Sequence, residues 1–423
     1  MYPKSPITNF PPIWDSAPSC RYESQMAGQR TTWPLLYAGI SGARLRYPLK
    51  RLGGGASRAY PPRLGVLALG TVIGLAALGV GILALWSDGT SAGLPKDNAP
   101  SGAIALAVVG DSNSHSYQDS ISFPSGTALR GGPLHSRTFQ WTEVLARLRG
   151  QELDQGPWVV WGRPGMVAWG RELIGLPGGR ASKKEDYLYN FAHSGATCGQ
   201  LMGGWPERLR QVPPLVHLMD EDPQRWRDGV VVIRIGDNDW HSVLDLQARD
   251  PKAPEVRAVV THCVEQIRAA IRLINTAHST TRILLVGVDN GADDPERFDN
   301  YRSTAATTNI RAAVDDFNAQ LRALANGDTR IAFFDGDLWS RQIWGSRRPD
   351  GTPDFRPIII GGKLRVTYTV GNEPNNAVLP DDHVGLVWNA LLAQALVARM
   401  REAFSLPLTP ISDEELARFV ANP

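Results

Sequence analysis

The stretch Ile104–Ser116, "IALAVVGDSNSHS", decides how this chain is read. A short apolar run that ends at turn residues fits a strand buried on both faces of a parallel sheet. Gly110, Asp111 and Asn113 are ordinary residues for the turn that follows such a strand. Ser112 sits inside that turn, either as one more turn residue or as a hydroxyl presented for chemistry. Three more runs have the same character: "VVVIRIG" (230–236), "RILLVGV" (282–288) and "RIAFFDG" (330–336). A fifth, "YLYNFAHSG" from Tyr187, is less regular. Helical spacing of apolar residues falls between and after them, at 141–150, 256–278, 310–325 and 384–404. Strand–helix alternation predicts an α/β fold with a parallel sheet covered on both faces. Sheets of this kind place their sites at the carboxyl ends of the strands. Ser112, Gly195, Asn238 and Asp335 all follow strand ends in this reading.

The rest of the chain is of different character. Residues 1–63 hold nine Lys/Arg against Asp15 and Glu23, a charge of +7, while the remainder carries −5 of the overall +2. A basic head on a mildly acidic body argues against nucleic-acid binding by the body. Leu64–Trp86, "LGVLALGTVIGLAALGVGILALW", is 23 residues without a charge. As a helix it is about 34 Å long, enough to cross a hydrocarbon core. Lys/Arg crowd its N-terminal flank, so the positive-inside rule keeps residues 1–63 in the cytoplasm and sends the following domain across the membrane. The expected organisation is a basic, disordered segment (1–63), a transmembrane helix (64–86), a linker (87–102), a main domain (103–405) and a tail with a short helix (406–423). Of three cysteines, Cys20 falls on the cytoplasmic side. Cys198 and Cys263 fall beyond the membrane and are read as two separate thiols, with pairing the alternative.

Four short blocks stand in order along the main domain: "GDSNS" with Ser112, "NFAHSGATC" with Gly195, "IGDND" with Asn238 and "PDDHVG" with His383. In these blocks the chain resembles the SGNH/GDSL hydrolase superfamily, over roughly residues 103–405. The resemblance implies a flavodoxin-like three-layer α/β/α sandwich and attack on an ester through an acyl-serine intermediate. Carried onto this sequence, Ser112 is the nucleophile and His383 the base that takes its proton. The backbone N–H groups of Ser112 and Gly195 and the Asn238 amide are the oxyanion donors.

The chain departs from the family where the acid belongs, three residues before the histidine, because Pro380 stands there. Asp381 and Asp382 remain. In an extended segment residues two apart point the same way, so Asp381 is the better partner for His383. Asp382 is then free to sit near the positive end of the helix that follows. Asp335 and Asp337 in "FFDGDLW" are further candidates. His115, His193 and His241 lie near the blocks, whereas His262 reads as structural. Trp158, Trp161 and Trp169 crowd a Gly-rich insertion read as a loop over the strand ends. Their faces suit either core packing or sugar stacking, packing being the commoner use. No histidine or cysteine spacing calls for a metal, and the triad needs no cofactor. Phosphate-cradling glycine spacing is absent from "VVGDSNS", which excludes dinucleotide binding. The expected partners are a small-molecule or glycan ester and, through residues 64–86, a membrane. An acyltransferase of the same triad, or a non-catalytic glycan-binding protein of the same fold, is the alternative.

Overall fold

Successive side chains of the first strand, β1 (Ile104–Gly110), enter two different cores. Ala105, Ala107 and Val109 face one side of the sheet; Leu106 and Val108 face the other. This period of two, with both faces apolar, is why the run has no polar residue. The computed structural model describes residues 100–174, 180, 182–203 and 210–423. The expected cytoplasmic segment, transmembrane helix and most of the linker lie outside the described residues. Among those described, no helix is long and apolar enough to cross a membrane.

The central sheet has five parallel strands in the order β2-β1-β5-β6-β7. Here β2 is Leu153–Asp154, β5 Val230–Arg234, β6 Arg282–Val286 and β7 Ile331–Phe334. Helices Val212–Glu221, Pro254–Ala277 and Thr304–Leu324 cover one face. Helices Trp141–Arg149, Leu386–Phe404 and Asp413–Ala421 cover the other. The result is three layers in the flavodoxin-like strand order. Gly110 ends β1 because a Cβ there would lie 2.3 Å from the carbonyl oxygen of Arg234 on the neighbouring strand.

Three expectations change. The run from Tyr187 is not a strand of the central sheet: β4 (Lys184–Tyr187) pairs antiparallel with β3 (Trp158–Trp161). Residues 189–193 run beside β1, with Val108 N donating to the Tyr189 carbonyl at 3.0 Å and Phe191 N to the Val108 carbonyl at 2.7 Å. They form one isolated bridge, Asn190 with Val108, and a loop leads on to Gly195. Charged Lys184 and Asp186, which stand just before that run, form a fully buried ion pair within the hairpin strand β4. The Gly-rich insertion is a hairpin carrying the helix Gly165–Leu173, with Trp161 packed on Phe191 beneath Arg180. Trp158 packs edge-on against Tyr187.

Cys198 and Cys263 are joined in a disulfide, not two thiols. The link closes a 65-residue separation and staples the segment after Gly195 to the long helix Pro254–Ala277. Replacing both by serine is expected to lower stability by about 2–4 kcal/mol. Denaturant melts with and without reductant check this; an unchanged midpoint would contradict it.

Beyond β7 the chain forms short strands that periodicity did not reveal. They are β8 (Gly345–Arg347) with β9 (Pro353–Phe355), and β10 (Ile358–Ile360), β11 (Leu364–Val370) and β12 (Asn376–Val378). β12 leads into the segment that carries His383.

Candidate active site

Ser112 lies half-buried in the turn after β1, and every neighbour in that turn is pinned. Asn113 N donates to Asp111 Oδ1 at 2.9 Å, and Ser114 N and His115 N both donate to the Asp111 carbonyl at 3.1 Å. Trp141 Nε1 and Arg234 Nη1 donate to the Asn113 carbonyl at 2.9 and 2.7 Å. Gln140 Nε2 donates to the carbonyl of Ser112 itself at 3.2 Å. A turn backbone held this way presents the Ser112 side chain from a fixed position. Asp111 is buried under the turn, and desolvation, with the nearby Asp237 charge, raises its pKa to about 7.

The four sequence blocks are tied to one another directly. Ser194 N donates to His115 Nδ1 at 3.1 Å, joining the second block to the first. Asn113 Nδ2 donates to Asp237 Oδ2, joining the first to the third. Asn238 Nδ2 donates to the Ala196 carbonyl at 2.8 Å, joining the third to the second. Tyr117 Oη donates to the Val384 carbonyl at 2.9 Å, bringing in the fourth. His115 is therefore a structural brace. It is buried, its Nε2 faces Asp119 Oδ2 at 2.8 Å, and desolvation, with the nearby Lys184 charge, keeps its pKa below the usual value. His241 borders a neighbouring cavity, while His262 is exposed on its helix.

The oxyanion candidates hold unspent donors. Gly195 has φ +79°, a left-handed conformation that glycine adopts without cost. The space where a Cβ would project is open, so backbone conformation, not close approach, requires glycine here. Among the described residues neither Ser112 N nor Gly195 N donates a hydrogen bond. Asn238 stands in the first turn of the short helix Asp237–His241. One Nδ2 hydrogen is used on Ala196, which orients the amide and leaves the other without a partner among the described residues. Asp239 does different work, its Oδ2 accepting from Cys198 N at 2.8 Å.

At the fourth block Asp381 reaches His383 by an unexpected route. The segment 380–383 is a turn, closed by Leu379 N donating to the His383 carbonyl at 2.6 Å. Asp381 still faces His383, with Oδ1 3.6 Å from Nδ1 and the Asp381 carbonyl 2.6 Å from the same nitrogen. That Oδ1 is buried and has no hydrogen-bond partner among the described residues. Asp382 does not begin the next helix, whose N-cap is Gly385. Its φ is +62°, its side chain is 52% exposed, and it faces Arg297 at 3.4 Å. Asp335 caps the helix Gly336–Trp344 and Asp337 pairs with Arg311 and Arg341, so both are committed elsewhere.

Arg130 is the residue the sequence did not disclose. Buried, with φ +49°, it donates to Asp381 Oδ2 from its backbone N at 2.9 Å and from Nη1 at 2.5 Å. Nη2 reaches Ser194 Oγ at 3.3 Å, and the guanidinium lies over the rings of Phe123 and Tyr117. Burial alone would raise the Asp381 pKa, but the His383 ring and the Arg130 charge bring it down to about 2. Nη1 is also 2.7 Å from His383 Nδ1. Guanidinium only donates, so this contact favours Nδ1 unprotonated, whereas the Asp381 carbonyl favours Nδ1–H. The Nδ1–H form is the one a general base needs, because it leaves Nε2 open to a hydroxyl. Ser112 Oγ and His383 Nε2 make no hydrogen bond with the described residues. Catalytic contacts of this kind are often long in unliganded sites and tighten with substrate.

Comparisons with known proteins bear on the whole. Among solved structures, the lipase Lip_vut3 from a goat rumen metagenome is similar at 12% identity and a TM-score of 0.31. The match covers 59% of this chain and 90% of that one. No curated protein matches the chain. Residues 106–354, more than half of the sequence and three of its four blocks, match the GDSL-like Lipase/Acylhydrolase family, and the chain belongs to it.

Proposed function

We propose that this protein is a serine ester hydrolase in which Ser112 is the nucleophile, His383 the base and Asp381 the acid. The observation that carries this reading is the buried, unpartnered Asp381 Oδ1 beside His383 Nδ1, in a site whose serine, glycine and asparagine blocks are hydrogen-bonded together. Family membership supports an ester hydrolase or acyltransferase. Ser112 Oγ attacks the ester carbonyl while His383 Nε2 takes its proton, and Asp381 stabilises the imidazolium. The carbonyl oxygen, now anionic, is met by Ser112 N–H, Gly195 N–H and the free Asn238 N–H. Collapse expels the alcohol, which takes the proton from His383 and leaves an acyl-serine. Water, deprotonated by His383, then releases the acid and restores the serine.

The same chemistry transfers the acyl group if a sugar hydroxyl replaces water. Hydrolysis of an acylated glycan of the cell envelope or extracellular space is the reading argued here. It rests on residues 64–86 as a single membrane span with the enzyme domain on the extracytoplasmic side. The Cys198–Cys263 disulfide supports that location, since such bonds persist in oxidising compartments. Reporter fusions after residue 100 should be active only where export is required, and cytoplasmic reporter activity would overturn the placement. Incubation with an acetylated oligosaccharide, with and without an unacetylated acceptor, tests the reaction itself. Free acetate in both cases is expected. Acetyl appearing on the acceptor in preference to water would establish the transferase, and no release of acetyl at all would overturn the reading.

A further inference from the structure

A cavity of about 60 Å³ opens beside the three blocks that follow strand ends or precede the last long helix. Asn113, Asp237 and Asp382, sequence neighbours of Ser112, Asn238 and His383, form its near wall. Asp289, Asp294 and Tyr368 line it further out, after β6 and on β11. The mechanism above uses none of these last three.

The lining is acidic, but its chemistry is not that of a cation site. Asp293 and Asp337 are already tied to Arg311, Arg347 and Arg341. Asp294 is tied to Arg297 and Asp289 faces Arg234 at 3.4 Å. Among the described residues, no three of these carboxylates bring oxygens within 4.8 Å of one another. A calcium ion would need six to eight converging oxygens. What the walls offer is separate acceptors around a polar space whose charge is largely balanced by arginine.

A second observation points to a ligand. Tyr368 is 8% exposed, its ring stacked on Phe355 at 4.6 Å, yet its hydroxyl has no hydrogen-bond partner among the described residues. Tyr368 lines the cavity together with Asp294, Asp293, Asp289 and Asp337, and burial, with the charges of these carboxylates, holds its pKa well above the usual value. The hydroxyl oxygen is not itself sealed from solvent, so a polar molecule in the cavity can take the place of water as its partner. Asp289 and Asp294 each meet an arginine through Oδ2, and a carboxylate has further acceptor positions for donated hydroxyl hydrogens.

We propose that this cavity, bounded by Asp289, Asp294 and the Tyr368 hydroxyl, is a subsite for one edge of a neutral sugar ring. Sugar hydroxyls donate to the two aspartates and accept from Tyr368, and the ester borne by that ring points toward Ser112. The volume admits several water-sized groups, which suits a hydroxylated ring edge and not a longer chain. The direction of the ester rests on the acyl-serine reading; occupancy of the cavity does not.

The test is binding of a monoacetylated methyl hexoside to the full chain carrying Ser112→Ala, measured by calorimetry and saturation-transfer NMR. Adding Tyr368→Phe, which keeps the ring and its stacking, is expected to weaken binding three- to tenfold, the effect of one lost hydrogen bond. Asp294→Asn, as a second background, is expected to weaken it similarly. Equal affinity in all three proteins would overturn the subsite, as would calcium binding abolished by Asp294→Asn. Failure of the acyl-serine reading looks different: wild-type protein would bind the acetylated sugar with this Tyr368 dependence and release no acetate.

Discussion

Asp381→Asn is expected to lower kcat on a model ester by at least about a hundredfold, and to lower the melting temperature too, because buried Arg130 loses its charge partner. The substitution keeps the shape of a side chain that Arg130 holds from its backbone and its guanidinium. It removes the charge that stabilises the imidazolium, and it turns an acceptor beside Nδ1 into a potential donor. A donor there would join Arg130 Nη1 in favouring the tautomer that cannot deprotonate Ser112, a loss that reaches about 10⁴ where geometry is otherwise intact. Asp382→Asn makes the useful contrast. Asn tolerates the left-handed backbone that Asp382 adopts, and the exposed contact with Arg297 contributes little. Its kcat should stay within about twofold of wild type. Steady-state kinetics on both variants decide the matter, and the reverse pattern would hand the acid role to Asp382.

Asn238→Ala is expected to lower kcat by about 10²–10³-fold with KM nearly unchanged. The free Nδ2 hydrogen meets charge that exists only after attack, so its loss falls on the transition state and not on substrate binding. The lost bond to Ala196 adds a smaller structural cost. Asp239→Ala should behave in the opposite sense. It removes the acceptor for Cys198 N, so it lowers stability by about 1 kcal/mol and kcat much less. Parallel kinetics and thermal melts separate the two. Wild-type turnover by Asn238→Ala would reduce the third block to a set of turn residues.

Much of this was legible in the chain because the core strands are apolar on both faces. Val230–Arg234 and Arg282–Val286 could be placed from composition alone, and the long helices from their spacing. The run from Tyr187 misled, since the hairpin strand starts earlier, at Lys184, and its buried Lys184–Asp186 pair needs its tertiary neighbours to be understood. The disulfide was illegible for a related reason. Its cysteines are 65 residues apart, and only the packing of helix Pro254–Ala277 beside the Gly195 segment brings them together. Asp381 was chosen for its direction in an extended segment, whereas it is a turn that places it beside His383. Arg130 had no signal at all. It lies in a Gly/Pro/Ser-rich stretch without periodicity, and its role exists only through contacts with residues 194, 381 and 383.

The central claim is that one serine, presented after β1, is activated for attack. Labelling native protein with a fluorophosphonate probe, followed by peptide mapping, tests it most directly. The account predicts a single adduct on Ser112, lost in Ser112→Ala and strongly slowed in Asp381→Asn. Absence of an adduct on the folded wild-type protein, or an adduct on another residue such as Ser114 or Ser194, would contradict it.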